Sequence, residues 1–246
     1  MSALPLPHAS CPDRRRARRA TAHRHLHLVR RDAARAPRLD PDSLAVIRRL
    51  GELLESNDHY TFGHCERVAD YAVAIARVLG LDDAQLTTVR LGAYLHDLGK
   101  VRVPSAILNK PGGLGPEEIA VIREHPTWGV ALLSTVALPW DVEPIVRWHH
   151  ERLDGSGYPD GLSGEDIPLA AQIIGIADSF DAMTSTRSYR AAATTGQALA
   201  ALWDARRSWH PDVHAAFLAA MSLREMQSRI TPWRRRIATL ESIGSA

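Results

Sequence analysis

From Asp42 onward, apolar residues recur at steps of three and four, the period of helices that bury one face. In HCERVADYAVAIARVLG, residues 64–80, the stripe runs His64, Val68, Tyr71, Ala72, Ile75 and Leu79, and Gly80 is suited to stop the helix. LDDAQLTTVRLGAYLHDLGK, residues 81–100, carries Leu86, Val89 and Ala93 toward His96 or Asp97, with Asp82 or Asp83 placed to cap its start. GPEEIAVIREH groups Val121, Ile122 and His125 and puts Pro116 in a first helical turn. DVEPIVRWHH aligns Val142, Ile145 and Val146 with His149 and His150. IPLAAQIIGIADSFDAMTS aligns Ala170, Ile174 and Ala177 with Asp178 and Asp181. Residues 194–221 predict two more helices, the first with Ala198, Leu202 and Ala205 on one face. The pattern predicts an all-α bundle.

Each of five stripes begins or ends on His or Asp, so its polar residues face inward. A single His on an apolar face is commonly a core residue with a hydrogen-bond partner. Several inward His and Asp positions would each need separate satisfaction, whereas one shared metal cluster satisfies all of them. The candidates are His64, His96, Asp97, His125, His149, His150 and Asp178. Seven side chains exceed what one tetrahedral or octahedral ion usually takes from a protein, and the two oxygens of Asp97 can bridge, so the set suggests two ions. Adjacent helical residues point about 100° apart, so His149 and His150 converge most readily at a helix end. The glycine-rich DGSGYPDGL that follows supplies such an end.

Composition narrows the classes. The 246 residues, 45% hydrophobic and 24% charged, suit one domain with a sizeable core. No apolar run is long enough to span a bilayer or to form a signal peptide, and a cytoplasmic location is expected. Two cysteines, Cys11 and Cys65, make neither a disulfide framework nor a thiolate metal site, which leaves His and carboxylate as ligands. The net charge of +2 is uneven: residues 1–38 hold ten Arg against Asp13 and Asp32, a surplus of +8, and the rest carries −6. The expected organisation is a basic, disordered arm over 1–40, a catalytic domain over 41–222, and a basic amphipathic helix or tail over 223–246, read first as a solvated charged face and alternatively as a segment that dimerises or contacts a membrane. The arm can alternatively tether nucleic acid or anionic lipid.

HDLGK at residues 96–100 resembles the motif of HD-domain metal-dependent phosphohydrolases. HHERLDGSGYP at 149–159 and IADSFDAMTSTRSYR at 176–190 resemble the HD-GYP subgroup, and ILNKPGGL and GLSGEDIPLAAQI occur in the same order. The resemblance spans roughly Asn57 to Phe217. It implies an HD-domain helical bundle with additional C-terminal helices and two divalent ions, Fe or Mn. The implied activity is hydrolysis of cyclic di-GMP to linear pGpG or GMP by a hydroxide held between the ions. His64, His96, Asp97 and Asp178 correspond to the ligands of one ion, and Asp97, His125, His149 and His150 to those of the other. Lys100 corresponds to a lysine on the scissile phosphate, so Asp97 and Lys100 are the expected catalytic residues. Arg187 and Arg190 match basic positions that hold the other phosphate or a guanine.

Several residues depart from the subgroup pattern. Tyr60 stands where members with a third ion carry a carboxylate, which favours two ions here. Leu153 replaces a frequent Trp, Ser188 a frequent Pro, and His210 a frequent Asp, the last read as a variant helix cap. Asp181 can orient a ligand imidazole or equally cap or pair with Arg187, and Asp154 is expected to turn the chain by Asx bonding. His59 and His214 have no place in the constellation. The alternatives to a cyclic di-GMP phosphodiesterase are a hydrolase of cyclic GMP-AMP or another phosphoester, and a docking protein that offers the Gly-Tyr-Pro loop to a partner such as a diguanylate cyclase.

Overall fold

The computed structural model describes residues 45–47, 49–51, 63–136, 138–186 and 191–222, all within one unit spanning 34–246. The described residues are helical and contain no strand. After helical residues 45–47 and 49–51 come α1 (His64–Val78) and α2 (Asp83–Leu95), then a 3-10 segment, Leu98–Arg102. α3 (Ser105–Leu108), α4 (Pro116–Arg123), α5 (His125–Leu133) and α6 (Glu143–Trp148) follow. α7 (Leu169–Thr184), α8 (Thr195–Asp204) and α9 (Pro211–Ser222) complete the chain order. The proposed arm over 1–40, the tail over 223–246, and Tyr60, His59, Arg187, Ser188 and Arg190 lie outside the described residues.

Local chemistry accounts for the boundaries. Asp82 caps α2: its carboxylate accepts from the Gln85 N–H at 2.9 Å, while the Gln85 side chain accepts from the Asp82 N–H. Thr194 and Gln197 make the same reciprocal arrangement at α8. His210 serves as the variant cap, its Nδ1 accepting from the Asp212 N–H at 3.2 Å at the start of α9. Asp154 turns the chain as expected, accepting from Ser156 N–H at 3.0 Å.

Two expected details differ. His125 does not end the helix of Val121 and Ile122, because the chain breaks at Glu124 and His125 opens α5 with Pro126 in its first turn. Ala205 does not continue the buried face of Ala198 and Leu202; α8 stops at Asp204 and Ala205 is exposed at its C-cap.

α1 packs on α2, α7 and α9, burying Val68, Ala72 and Ile75 against Ile173, Ile174, Ile176 and Phe217. A side chain of this size contributes about 1.5–3 kcal/mol when fully buried. A second apolar cluster joins Leu91, Tyr94 and Leu95 of α2 to Leu98, Leu133, Trp140, Val142 and Val146. Together the clusters hold the ends of α1, α2 and α6 and the middle of α7 in fixed register. Among the described residues no helix is long and apolar enough to cross a membrane.

Candidate metal centre

The apolar stripes deliver their polar ends to one place. His64 opens α1, His96 and Asp97 follow α2, His125 opens α5, His149 and His150 follow α6, and Asp178 lies within α7. His96, His125 and His149 have no exposed surface, and Asp97 is 1% exposed. Two groups of donor atoms result, Asp97 with His125, His149 and His150, and His64 with His96 and Asp178; within each, the atoms lie within 4.8 Å of one another.

Asp97 faces both groups. Its Oδ2 lies 3.6 Å from His64 Nε2 and 3.4 Å from His96 Nε2, while its Oδ1 lies 3.3 Å from His125 Nε2. Asp178 Oδ1 is 3.4 Å from His64 Nε2 and 4.0 Å from His96 Nε2. All seven ligand candidates drawn from the sequence are therefore brought together.

Hydrogen bonds on the far side of four rings fix which nitrogen faces inward. The Nδ1–H groups of His96, His125 and His149 donate to the carbonyls of Ala93, Ile122 and Val146, three residues earlier, at 2.6, 2.8 and 3.0 Å. His64 Nδ1–H donates to Asp181 Oδ2 at 2.7 Å. In its neutral form each ring would turn an Nε2 lone pair inward, the tautomer a metal ligand needs. Two such lone pairs, on His125 and His149, approach to 3.3 Å, and His96 Nε2 is buried with no hydrogen-bond partner among the described residues. Converging lone pairs repel unless a cation lies among them, so this donor set fits divalent metal.

The electrostatics agree. Burial pushes His125 down to about 4 and holds His149 and His150 well below the ordinary imidazole value, so these rings stay neutral near pH 7. Burial opposes ionisation of Asp97, yet Lys100 and the surrounding histidines outweigh it and hold the carboxyl well below the usual range. Asp178 is lowered in the same way, burial being outweighed by His64, His96 and His150. His64 is the exception: burial is overcome by Asp178, Asp181 and Asp97, which raise it well above its ordinary value. A proton on this ring answers the same negative field that would hold a cation.

Supporting residues extend the set. Asp181 orients the His64 imidazole and also accepts from Arg67, whose Nε donates to Oδ1 at 2.6 Å and Nη2 to Oδ2 at 3.0 Å; the expected pairing with Arg187 lies outside the described residues. Arg67 was not singled out from sequence; its signal is its place one turn after His64 on the same helix face. Lys100 Nζ donates to Asp97 Oδ2 at 2.6 Å at the edge of the site. Arg152 donates to the His149 and Glu151 carbonyls and lies over the Trp209 ring at 4.4 Å. Glu151, 2% exposed, accepts from the Asp160 N–H at 2.7 Å, and Asp160 in turn accepts from Arg147 and Trp148. Cys65 is a buried core thiol, and His214 packs beside Trp203 away from the centre.

Close backbone approach shapes the same region. A Cβ on Gly99 would collide with the His125 carbonyl oxygen, and one on Gly157 with the backbone of His150, Glu151 and Arg152. Gly157 is required by contact, whereas Gly155 and Gly161 on either side adopt positive φ, 78° and 65°.

Residues 48–214 match the HD domain family. The chain is 40% identical over 185 residues to the cyclic di-GMP phosphodiesterase response regulator RpfG of Xanthomonas campestris, covering 74% of this chain and 49% of that protein. It is 37% identical over 179 residues to the 3'3'-cGAMP-specific phosphodiesterase 3 of Vibrio cholerae, covering 72% of this chain and 39% of that protein. The chain thus spans about half, or less, of the length of these relatives. Bd1817, an HDG"Y"P protein from Bdellovibrio bacteriovorus, shares the fold with a TM-score of 0.55 at 18% identity, over 86% of this chain and 81% of that one. The chain belongs to the HD-domain family, whose model spans His96–Asp97 and the Gly157–Tyr158–Pro159 loop.

Proposed function

We propose that the chain is a phosphodiesterase of cyclic dinucleotides, with cyclic di-GMP as the first substrate to test and linear pGpG or GMP as product. The observation that carries this reading is the division of the Asp97 carboxylate, one oxygen toward His64 and His96 and the other toward His125. That geometry suits a pair of divalent ions, Fe or Mn, held by His64, His96, Asp97 and Asp178 on one side and Asp97, His125, His149 and His150 on the other. When bound, such ions supply Lewis acidity, lowering the pKa of water and neutralising charge on a phosphodiester.

The protein's own groups do the rest. Asp97 holds the two halves of the centre in register. Lys100 brings a positive charge to its edge, where a phosphate oxygen can replace the Asp97 carboxylate as acceptor of the Nζ hydrogen bond. Arg187 and Arg190, outside the described residues, are the proposed contacts to the second phosphate or a guanine, since a planar guanidinium pairs with phosphate through two hydrogen bonds. Addition of water across one P–O bond opens the ring to a linear dinucleotide, and a second addition gives two mononucleotides.

A cyclic GMP-AMP substrate is the second reading, favoured by the 37% identity to a Vibrio cholerae protein named for that activity. Purified chain, loaded anaerobically with Fe(II) or Mn(II), is to be incubated with each cyclic dinucleotide while its metal content is measured. Conversion of cyclic di-GMP, lost in Asp97→Ala, is the expected result. Full metal content with neither substrate consumed would overturn the enzymatic reading.

A further inference from the structure

Four of the five clustered imidazoles are oriented by a hydrogen bond from Nδ1: His64 to a carboxylate, and His96, His125 and His149 each to the carbonyl three residues earlier. His150 has no such bond among the described residues. An imidazole on a freely rotating χ2 would lose torsional entropy on taking up a ligand geometry. Something else must hold this ring. Besides the His149 and His125 rings of the same cluster, tilted or edge-on to it at 4.0 and 5.0 Å between centroids, it meets Tyr158, whose ring stacks on it at 4.6 Å and an interplanar angle of 23°. The Arg123 guanidinium carbon lies 5.1 Å from the centroid of the same Tyr158 ring, within cation–π range.

We propose that Tyr158 is the positioning residue of His150, doing by stacking what hydrogen bonds do for the other four imidazoles, and that Arg123 holds Tyr158 in place. The backbone brings the two rings together. Gly157 lies so close to His150–Arg152 that no Cβ fits, and the Tyr158 N–H donates to the His150 carbonyl at 3.3 Å. Beyond Tyr158 the loop is pinned where Glu151 accepts from the Asp160 N–H. Arg123 precedes His125 by two residues at the end of α4, so the Tyr158 ring contacts two segments that each carry a donor of the same group of four. The middle residue of the Gly-Tyr-Pro loop thereby acts on the metal centre from within the protein, through the face of its ring and independently of its hydroxyl.

This inference rests on the two-ion reading above. The test is Mn(II) binding to the full chain by equilibrium dialysis, with electron paramagnetic resonance of the loaded protein and thermal unfolding of the metal-free protein. The wild type is expected to bind two Mn(II) per chain and give the exchange-coupled signal of a pair. Tyr158→Phe keeps the stacking face and should match it in stoichiometry, affinity and spectrum. Tyr158→Leu keeps apolar bulk without an aromatic face and should weaken one of the two ions about 10–100-fold, the range for losing a residue that orients a ligand, and shift the spectrum to that of an isolated Mn(II). The metal-free unfolding midpoint should not change, which separates positioning from a general loss of fold. Arg123→Gln, on an exposed residue, should give the same selective weakening to a lesser degree, and keeps the test decisive if the leucine variant does not fold. Tyr158→Leu or Arg123→Gln binding both ions with wild-type affinity and an unchanged coupled signal would overturn the proposal while leaving the two-ion reading intact. A wild type that binds fewer than two ions would overturn that reading, and this inference with it.

Discussion

His64 is held from behind by Asp181, and Asp181 by Arg67, so one ligand candidate depends on a chain of two charged contacts. Replacing Asp181 with Ala frees the imidazole to rotate and leaves the half-buried Arg67 with Ser185 Oγ but no carboxylate. We expect the weaker of two Mn(II) ions to lose about 10–100-fold in affinity, as for other residues behind a ligand histidine, while Asp181→Glu recovers part of it. Titration by equilibrium dialysis would measure the difference, and equal affinities would show that His64 needs no support. Lys100 differs in kind. Its Nζ bonds Asp97, yet Asp97 is also surrounded by three histidine nitrogens, so Lys100→Met should retain metal while turnover of cyclic di-GMP falls. A parallel loss of metal and turnover would instead make Lys100 a structural partner of Asp97. The sequence exposed these ligand candidates because each terminates or interrupts an apolar stripe. Arg67 was less legible because a charged residue on a helix ordinarily faces solvent, and only its one-turn spacing from His64 hinted otherwise.

Among the elements, α1, α2 and α7 were legible because their apolar period persists over three or more turns, with Gly80 ending α1 and Asp82 capping α2. The break between α4 and α5 was not anticipated, since Val121, Ile122 and His125 satisfy a helical period even across an interruption. Pro126 carried the available signal, as proline favours the first turn of a new helix. The break has a consequence for the site, because it lets the His125 carbonyl lie against Gly99 in the segment that follows Asp97. Gly99→Ala must push these backbones apart, and overpacking of this kind costs about 1–3 kcal/mol. Denaturant unfolding should record that loss together with weaker retention of metal. Asp82→Ala is the matched control: removing the cap of α2 should cost about 1 kcal/mol while leaving metal stoichiometry unchanged. If both variants lost metal equally, proximity of Gly99 to His125 would have no special bearing on the centre. The long-range contact of Arg152 with Trp209 had no local pattern to reveal it, since the two residues are joined only by the folded chain.

Across the whole molecule, the ligand candidates come from five segments spread between His64 and Asp178, and a bound ion has no equivalent site in the unfolded chain. Metal binding therefore adds to folding stability by mass action. A site with free ion at 100 times its dissociation constant gains about 2.7 kcal/mol. For a protein of 150–250 residues each kcal/mol moves the thermal midpoint by about 2–4 °C, so one ion at that excess should raise it by roughly 5–11 °C. Two ions should act together only in so far as Asp97 serves both. This makes Asp97→Ala informative beyond activity: the wild type should show a clear gap between midpoints measured with Mn(II) and with chelator, and the variant should show little or none. Asp82→Ala should lower both midpoints by a similar amount and keep the gap, because the α2 cap supports the fold without touching the donors. Equal wild-type midpoints with and without metal would mean that the buried histidines are satisfied within the apo fold, and that the converging lone pairs of His125 and His149 do not call for an ion.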